Sequence, residues 1–384
     1  MWCGLESRLP PADVAVLGVR PGRQQFWVHD DEKGDLVGGA APDFLRSLVS
    51  SGLSEPAQLT MFYGPSGQSK RLLSGDPIDL DRPEDLGVVP RWDDPALFPA
   101  KEPGRIAKYR RHQSWYRENV LQTAPGAYMR YPALGSYLDA DIVEADPSLN
   151  FLSAGAEAHA RERSAVVKTE GGALDPVRLR RNMLSSMPLC FNLFGSMRSE
   201  ATAFLPLFQN LFDPNATAIR DVICEYAPQP PAQFLGDRTA FDAIVLYETA
   251  QGPRFIGIET KYTEAFSATE YDSDRYQEIT AKSGWFRNPQ SVRETLKGRT
   301  SNQLWRNLML AAALEQRGTH GSGGVAVVAL EHDPGATQAI QILRPALTDQ
   351  SRLMFVSLES IVAVAGKVPE LVAWSSAFRV RYLP

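Results

Sequence analysis

Between Phe241 and Tyr262 the chain reads FDAIVLYETAQGPRFIGIETKY, and this stretch limits the available folds more than any other. Two runs rich in β-branched and aromatic residues flank a short polar break, the pattern of two strands joined by a tight reversal. A reversal centred between Ala250 and Gln251 sets Asp242 across from Glu259. Side chains two apart on a strand share a face, so Glu259 and Lys261 point the same way as Phe255 and Gly257. Facing pairs stand roughly 5 Å apart at Cβ, and two carboxylates that close destabilise a hairpin unless something neutralises them. An oxygen-seeking divalent cation does so; Mg²⁺ is the expected ion, with Mn²⁺ as an alternative. Beside it, Lys261 can position or help deprotonate a water, or offset phosphate charge. The chemistry expected of such a set is phosphodiester hydrolysis.

The surroundings place this hairpin in a larger α/β pattern. Helical segments are expected over 175–212: Asp175-Pro176 starts the first as an N-cap followed by proline, Pro188 breaks or kinks it, and the apolar remainder carries one acid, Glu200. Strands follow at 218–226, 239–247 and 254–262, then a polar helix at 274–281 and a stronger one at 301–316. VAVVAL at 325–330 reads as a fully buried strand. Further strands are expected at 340–343 and 353–358, before a C-terminal helix starting near Glu359. On the 301–316 helix, Gln303, Arg306 and Asn307 share a face by their spacing. That face either reaches a phosphate and Lys261 or is a solvated face opposite Leu304, Leu308 and Ala311.

The chain divides near residue 95. Residues 1–95 read as a small α+β accessory module, with a hairpin over 13–31 reversing at Pro21-Gly22, a short helix at 42–50 and a strand at 58–63. A Pro-rich, acidic linker covers 89–103. The second domain, 96–384, opens with a basic segment expected to be helical over 101–135 and holds a core over 175–360. From Lys101 to Tyr131 seven Lys or Arg stand against two Glu, with aromatic residues between them. Lys108, Arg110, Arg111, Trp115 and Arg117 are the candidates for meeting a phosphate backbone there, and Arg306 joins them from the later helix. The alternative is an amphipathic helix that docks its aromatics into the core.

With 43% apolar and 22% charged residues, the 384-residue composition is that of a globular protein. A net charge of -5 gives no global attraction for nucleic acid, so any binding rests on a local basic face. Cys3, Cys190 and Cys224 are widely spaced and fit buried thiols in a reducing compartment. No apolar window is long enough to span a membrane, and the N-terminus lacks a leader pattern, so a soluble cytoplasmic protein is expected. GPSGQSK at Gly64 to Lys70 departs from a phosphate loop, because Gly67 comes too early and Lys70 is followed by Arg71.

Asp242, the gap of seventeen positions to Glu259, and Glu259-Thr260-Lys261 on a second strand resemble the PD-(D/E)XK nuclease superfamily. RRHQSWYRE, SSMPLCFNLFG, FDAIVLYE, GIETKY and QLWRNLML look more closely like a bacterial restriction-endonuclease-like group, over about 108–360 of the chain. The resemblance implies a restriction-endonuclease-like α/β core: helix, three strands, helix, strand, with a mixed sheet flanked by helices. It implies Asp242 and Glu259 as metal ligands, the Thr260 carbonyl completing the shell, and Lys261 as the catalytic lysine. It places a further acid at Glu200, and Gln303 at the start of the helix after the motif, as in the exonuclease-like branch. One departure is Phe241 in the position of the family's proline. The expected partner is DNA, with RNA kept as an alternative and no membrane. A homodimer is expected, because cutting both strands of a duplex takes two sites, and the N-terminal region is available for a protein partner. The expected role is restriction, phage defence or repair; the alternative is an inactive nuclease fold that binds nucleic acid or protein.

Overall fold

A computed structural model describes residues 104–384 except 171, residues 98, 99 and 102, and six short strands between residues 18 and 70. By its contacts the chain forms two compact units, Met1–Tyr137 with Pro384, and Leu138–Leu383. In the first unit, Gly18–Arg20 and Arg23–Phe26 pair antiparallel; Pro21 and Gly22, where the reversal is expected, lie outside the described residues. Arg23–Phe26 then pairs parallel with Thr60–Tyr63, and that strand antiparallel with Gln68–Lys70. The expected helix at 42–50 and nearly all of the linker at 89–103 lie outside the described residues.

The basic segment starts as helix α1, Gly104–Tyr116, and runs on as a π-helical turn, Arg117–Leu121. It stops before Ala124-Pro125, as the absence of earlier breakers predicts. The expectation of helix as far as 135 is corrected: β1, Pro125–Tyr128, and β2, Tyr131–Leu138, form a two-stranded sheet instead. Proline at the first position and the tyrosines Tyr128 and Tyr131 on either side of Met129-Arg130 favour strands there.

In the second unit, helices α2 (Ala140–Ala145), α3 (Ala154–Val166), α4 (Pro176–Arg181) and α5 (Ser186–Cys190) precede the sheet. The Asp175 side chain accepts from the Val177 and Arg178 amides, the N-cap expected from Asp175-Pro176. Pro188 lies within the opening turn of α5, where a missing N–H is tolerated, so it does not break a helix. A π-turn at Phe191–Gly195 leads to α6 (Ser196–Ser199) and α7 (Ala201–Leu211).

The central sheet has five strands: β3 (Ala216–Tyr226), β4 (Phe241–Thr249), β5 (Gly252–Thr260), β6 (Ser322–Ala329) and β7 (Leu353–Ser357). Their order is β7-β6-β5-β4-β3; the first three in sequence form an antiparallel meander, and β6 and β7 add in parallel. Between β5 and β6 come α8 (Asp274–Lys282), α9 (Pro289–Leu296) and α10 (Asn302–Arg317). This is the expected mixed sheet flanked by helices.

Leu304, Trp305, Leu308 and Leu314 of α10 are fully buried, each large apolar chain contributing roughly 1.5–3 kcal/mol of burial. The helix ends where Gly318 adopts φ 68°, a conformation open to glycine. The strand expected at 340–343 is corrected to the last turn of α11, Pro334–Leu343. A short apolar run fits either period, and the Asp333 cap on the Ala336 amide decides for helix. Helices α12 (Leu358–Ala365) and α13 (Val372–Tyr382) close the unit. Among the described residues no single helix is long and apolar enough to cross a membrane.

Candidate active site

The hairpin carries the register expected of it: Ala243 pairs with Ile258 and Thr249 with Gly252, so Asp242 falls level with Glu259 at the open end of the ladder. The two carboxylates nevertheless find different partners. Asp242 Oδ2 accepts from both the Thr260 amide and the Thr260 hydroxyl, each at 2.7 Å. The next amide, that of Lys261, donates to Val328 O on the other side of β5 at 2.8 Å. Successive amides of a strand point to opposite neighbours, so the Asp242 carboxylate takes the place of the main-chain acceptor β4 would otherwise supply.

The reason lies in an interrupted pleat. Phe241 and Ile244 both sit in the apolar cluster under α10, and Ile223 and Tyr226 both pack against it. Residues three apart cannot share a face in a regular strand. Glu225, between them on β3, has the left-handed φ of 54°, uncommon outside glycine. The Phe241 ring crosses Gly257, where an added Cβ would come within 2.5 Å of it. Phe241 thus takes the core side, and Asp242 is left at the end of the sheet.

Glu259 points to α10 and is 2% exposed. Its Oε1 accepts from Lys261 Nζ and from Gln303 Nε2, both at 2.6 Å. Its Oε2 accepts from Asn307 Nδ2, also at 2.6 Å. Lys261 Nζ lies 3.5 Å from Gln303 Oε1 and 4.7 Å from the centre of the Phe266 ring. Gln303 and Asn307 are therefore directed at the site, and the face they share with Arg306 is not a solvated one. Arg306 is engaged inside the protein: it donates to Tyr276 Oη at 3.0 Å and Thr239 Oγ1 at 2.6 Å, and pairs with Asp237 at 3.4 Å.

Electrostatics follows this geometry. Burial pushes the Asp242 carboxyl up to about 7, the Glu259 charge adds to the rise, and Lys261 and the Thr260 hydrogen bonds oppose it. Burial would lower the Lys261 ammonium, but Glu259 and Asp242 outweigh it and hold the group above its ordinary value. Glu225 is raised well above the usual carboxylate range by burial and then by Asp242. By the ladder, where Phe241 pairs with Tyr226 and Ala243 with Cys224, Glu225 stands level with Asp242 on the other side.

Sequence reasoning missed Glu225. An acid ending an apolar strand is a signal, but the fourteen-residue connection 227–240 hides its register to Asp242. It also missed Glu264, whose Oε1 accepts from the Ser186 amide at 2.8 Å and pairs with Arg178 at 3.3 Å.

Other expected residues are placed elsewhere. Glu200 is exposed at the break between α6 and α7, its amide bonded to Ser196 O, and no hydrogen bond joins it to Asp242 or Glu259. In the first unit, Arg117 is buried and donates to the carbonyls of Gly135 and Thr123. Arg110 is held by Glu102 and Ser136. Lys108 is exposed, Arg111 and Trp115 are half-buried, and Trp115 stacks on buried His112. Cys190 and Cys224 are buried free thiols, as expected, and Cys190 donates to Asp242 O at 3.3 Å.

Among the described residues no three His, Cys, Asp or Glu side chains converge as a metal cage. Asp242 Oδ1 accepts no hydrogen bond from a described residue, and Glu259 Oε2 accepts one, leaving lone pairs on both. Two hard carboxylates with spare acceptor capacity suit Mg²⁺, which takes one or two carboxylates and keeps several waters.

Compared with known proteins, residues 100–384 match the family model of the PD-(D/E)XK nuclease superfamily. No curated protein and no solved structure matches the chain.

Proposed function

The chain belongs to the PD-(D/E)XK nuclease superfamily, and on that premise we propose that it is a Mg²⁺-dependent deoxyribonuclease acting in restriction, phage defence or repair. The observation that carries this reading is the Glu259 carboxylate, clamped at once by Lys261, Gln303 and Asn307 one residue from the Asp242–Thr260 pair. Asp242, Glu259 and the Thr260 carbonyl would hold the cation. When bound, Mg²⁺ stabilises the charge that builds on the phosphorus oxygens and on the leaving oxygen.

The side chains divide the remaining work. Lys261, held as an ammonium beside its two acids, would orient the attacking water by donating to it and offset phosphate charge. Without the cation the Asp242 carboxyl, raised to about 7, can hold a proton on Oδ1 near neutral pH; binding of the cation would displace that proton. Gln303 and Asn307 fix Glu259 on both oxygens, so its position costs no reorganisation during the reaction.

The test is incubation of the purified protein with linear duplex, circular duplex, single-stranded DNA and RNA, with and without Mg²⁺ or Mn²⁺, beside Lys261→Ala. Cleavage of DNA that needs the cation and drops at least a hundredfold in the variant is expected. Cleavage without a cation, or surviving the substitution, overturns the mechanism. Cation-independent binding with no cleavage of any substrate makes the chain a binding module.

A further inference from the structure

The loop from Thr263 to Ser273 leaves β5 beside Lys261 and is fastened to the first turn of α10 at two points. The Ser267 amide donates to Gln303 Oε1 at 2.8 Å. Four residues on, the Tyr271 amide donates to Asn302 Oδ1 at 3.1 Å, and Asn302 Nδ2 returns a bond to Tyr271 O at 2.8 Å. Asn302 is itself fully buried.

The fastened residue presents its ring to solvent: Tyr271 is 43% exposed, one of few large apolar side chains so placed among the described residues. The Arg306 guanidinium lies 4.1 Å from the ring centre. Arg306 cannot swing aside without giving up Tyr276, Thr239 and Asp237. One face of the ring is therefore backed by a fixed cation, and its exposed surface is the other face and the edge. An aromatic ring fixed in advance loses little freedom when a flat partner stacks on it, the condition under which stacking contributes most.

Position narrows the partner. Asn302, which holds Tyr271, is the neighbour of Gln303, which holds Glu259. We infer that Tyr271 is a stacking platform for an unpaired nucleobase of the substrate strand, next to the phosphate at Asp242 and Glu259. This rests on the nuclease reading and deepens it. Every base offers a π-face, so such a platform tolerates sequence, but a base inside an intact duplex cannot reach it. The substrate class is accordingly single-stranded DNA, strand ends, or duplex with an extruded base.

The test measures fluorescence anisotropy of a labelled oligo(dT) and of an abasic oligonucleotide of equal length, without added divalent cation. The full chain is compared with Tyr271→Ala, Tyr271→Phe and Tyr271→Trp, each first checked for an unchanged thermal melt. Tyr271→Ala is expected to bind oligo(dT) about tenfold more weakly, with Phe and Trp close to the unaltered chain and all four alike on the abasic strand. Equal weakening on both oligonucleotides, or none on either, overturns the platform while leaving the nuclease reading intact. If the unaltered chain binds neither strand and cuts no DNA, the nuclease reading itself fails. Should Tyr271→Ala alone melt early, the Phe and Trp variants decide: a loss of oligo(dT) binding in both overturns stacking.

Discussion

Asp242 is a carboxyl whose proton is tied to folding. Its value is about 7 in the folded chain against an ordinary 3.8, so the native state holds the proton more tightly than the unfolded chain. The advantage is complete below about pH 4 and is lost as pH rises toward 7. Above that the folded protein bears a cost with an upper bound of the order of 4 kcal/mol. Asp242→Asn is expected to flatten this window: thermal melts should show a Tm several degrees higher than the unaltered chain at pH 8, and little difference at pH 4. Saturating Mg²⁺ should recover part of the gap at pH 8 in the unaltered chain and none in the variant. A variant that loses stability equally at both pH values would mean that the Thr260 hydrogen bonds outweigh the charge.

At the scale of elements, the hairpin depends on one exchange of volume: Gly257 leaves room for the Phe241 ring, which stands where related motifs have proline. Gly257→Ala is expected to cost about 1–3 kcal/mol in a denaturant titration, and Phe241→Leu in the same chain to recover part of it. The register of this hairpin is legible because a short reversal centred between Ala250 and Gln251 joins two β-rich runs and leaves one pairing. The α10 helix was legible because its apolar positions keep a helical period to Gly318. The pleat interruption was not, because it arises from a tertiary choice, Phe241 over Asp242 for the core side. IQIL at the end of α11 reads as either element because three apolar residues around Gln341 satisfy both periods, although Asp333-Pro334 upstream carries the capping signal. Helix α3, Ala154–Val166, went unseen: it mixes alanine with charges around buried His159 and Arg163, and no apolar stripe marks it.

On the scale of the molecule, the family match begins at residue 100, inside the unit that spans Met1–Tyr137. The net charge of -5 leaves substrate attraction to local groups. Each chain offers a single Asp242–Glu259–Lys261 set, and a double-strand cut needs two. We propose a homodimer on that ground; light scattering should return twice the chain mass, and a sharp peak at one chain mass would count against it. The Asp242–Thr260 clasp has a last consequence. The rung that ends the β4–β5 ladder is made by a group that titrates near neutrality, so the Thr260 amide proton is a built-in spectroscopic gauge. Its resonance frequency reads the charge state of the site without any added label.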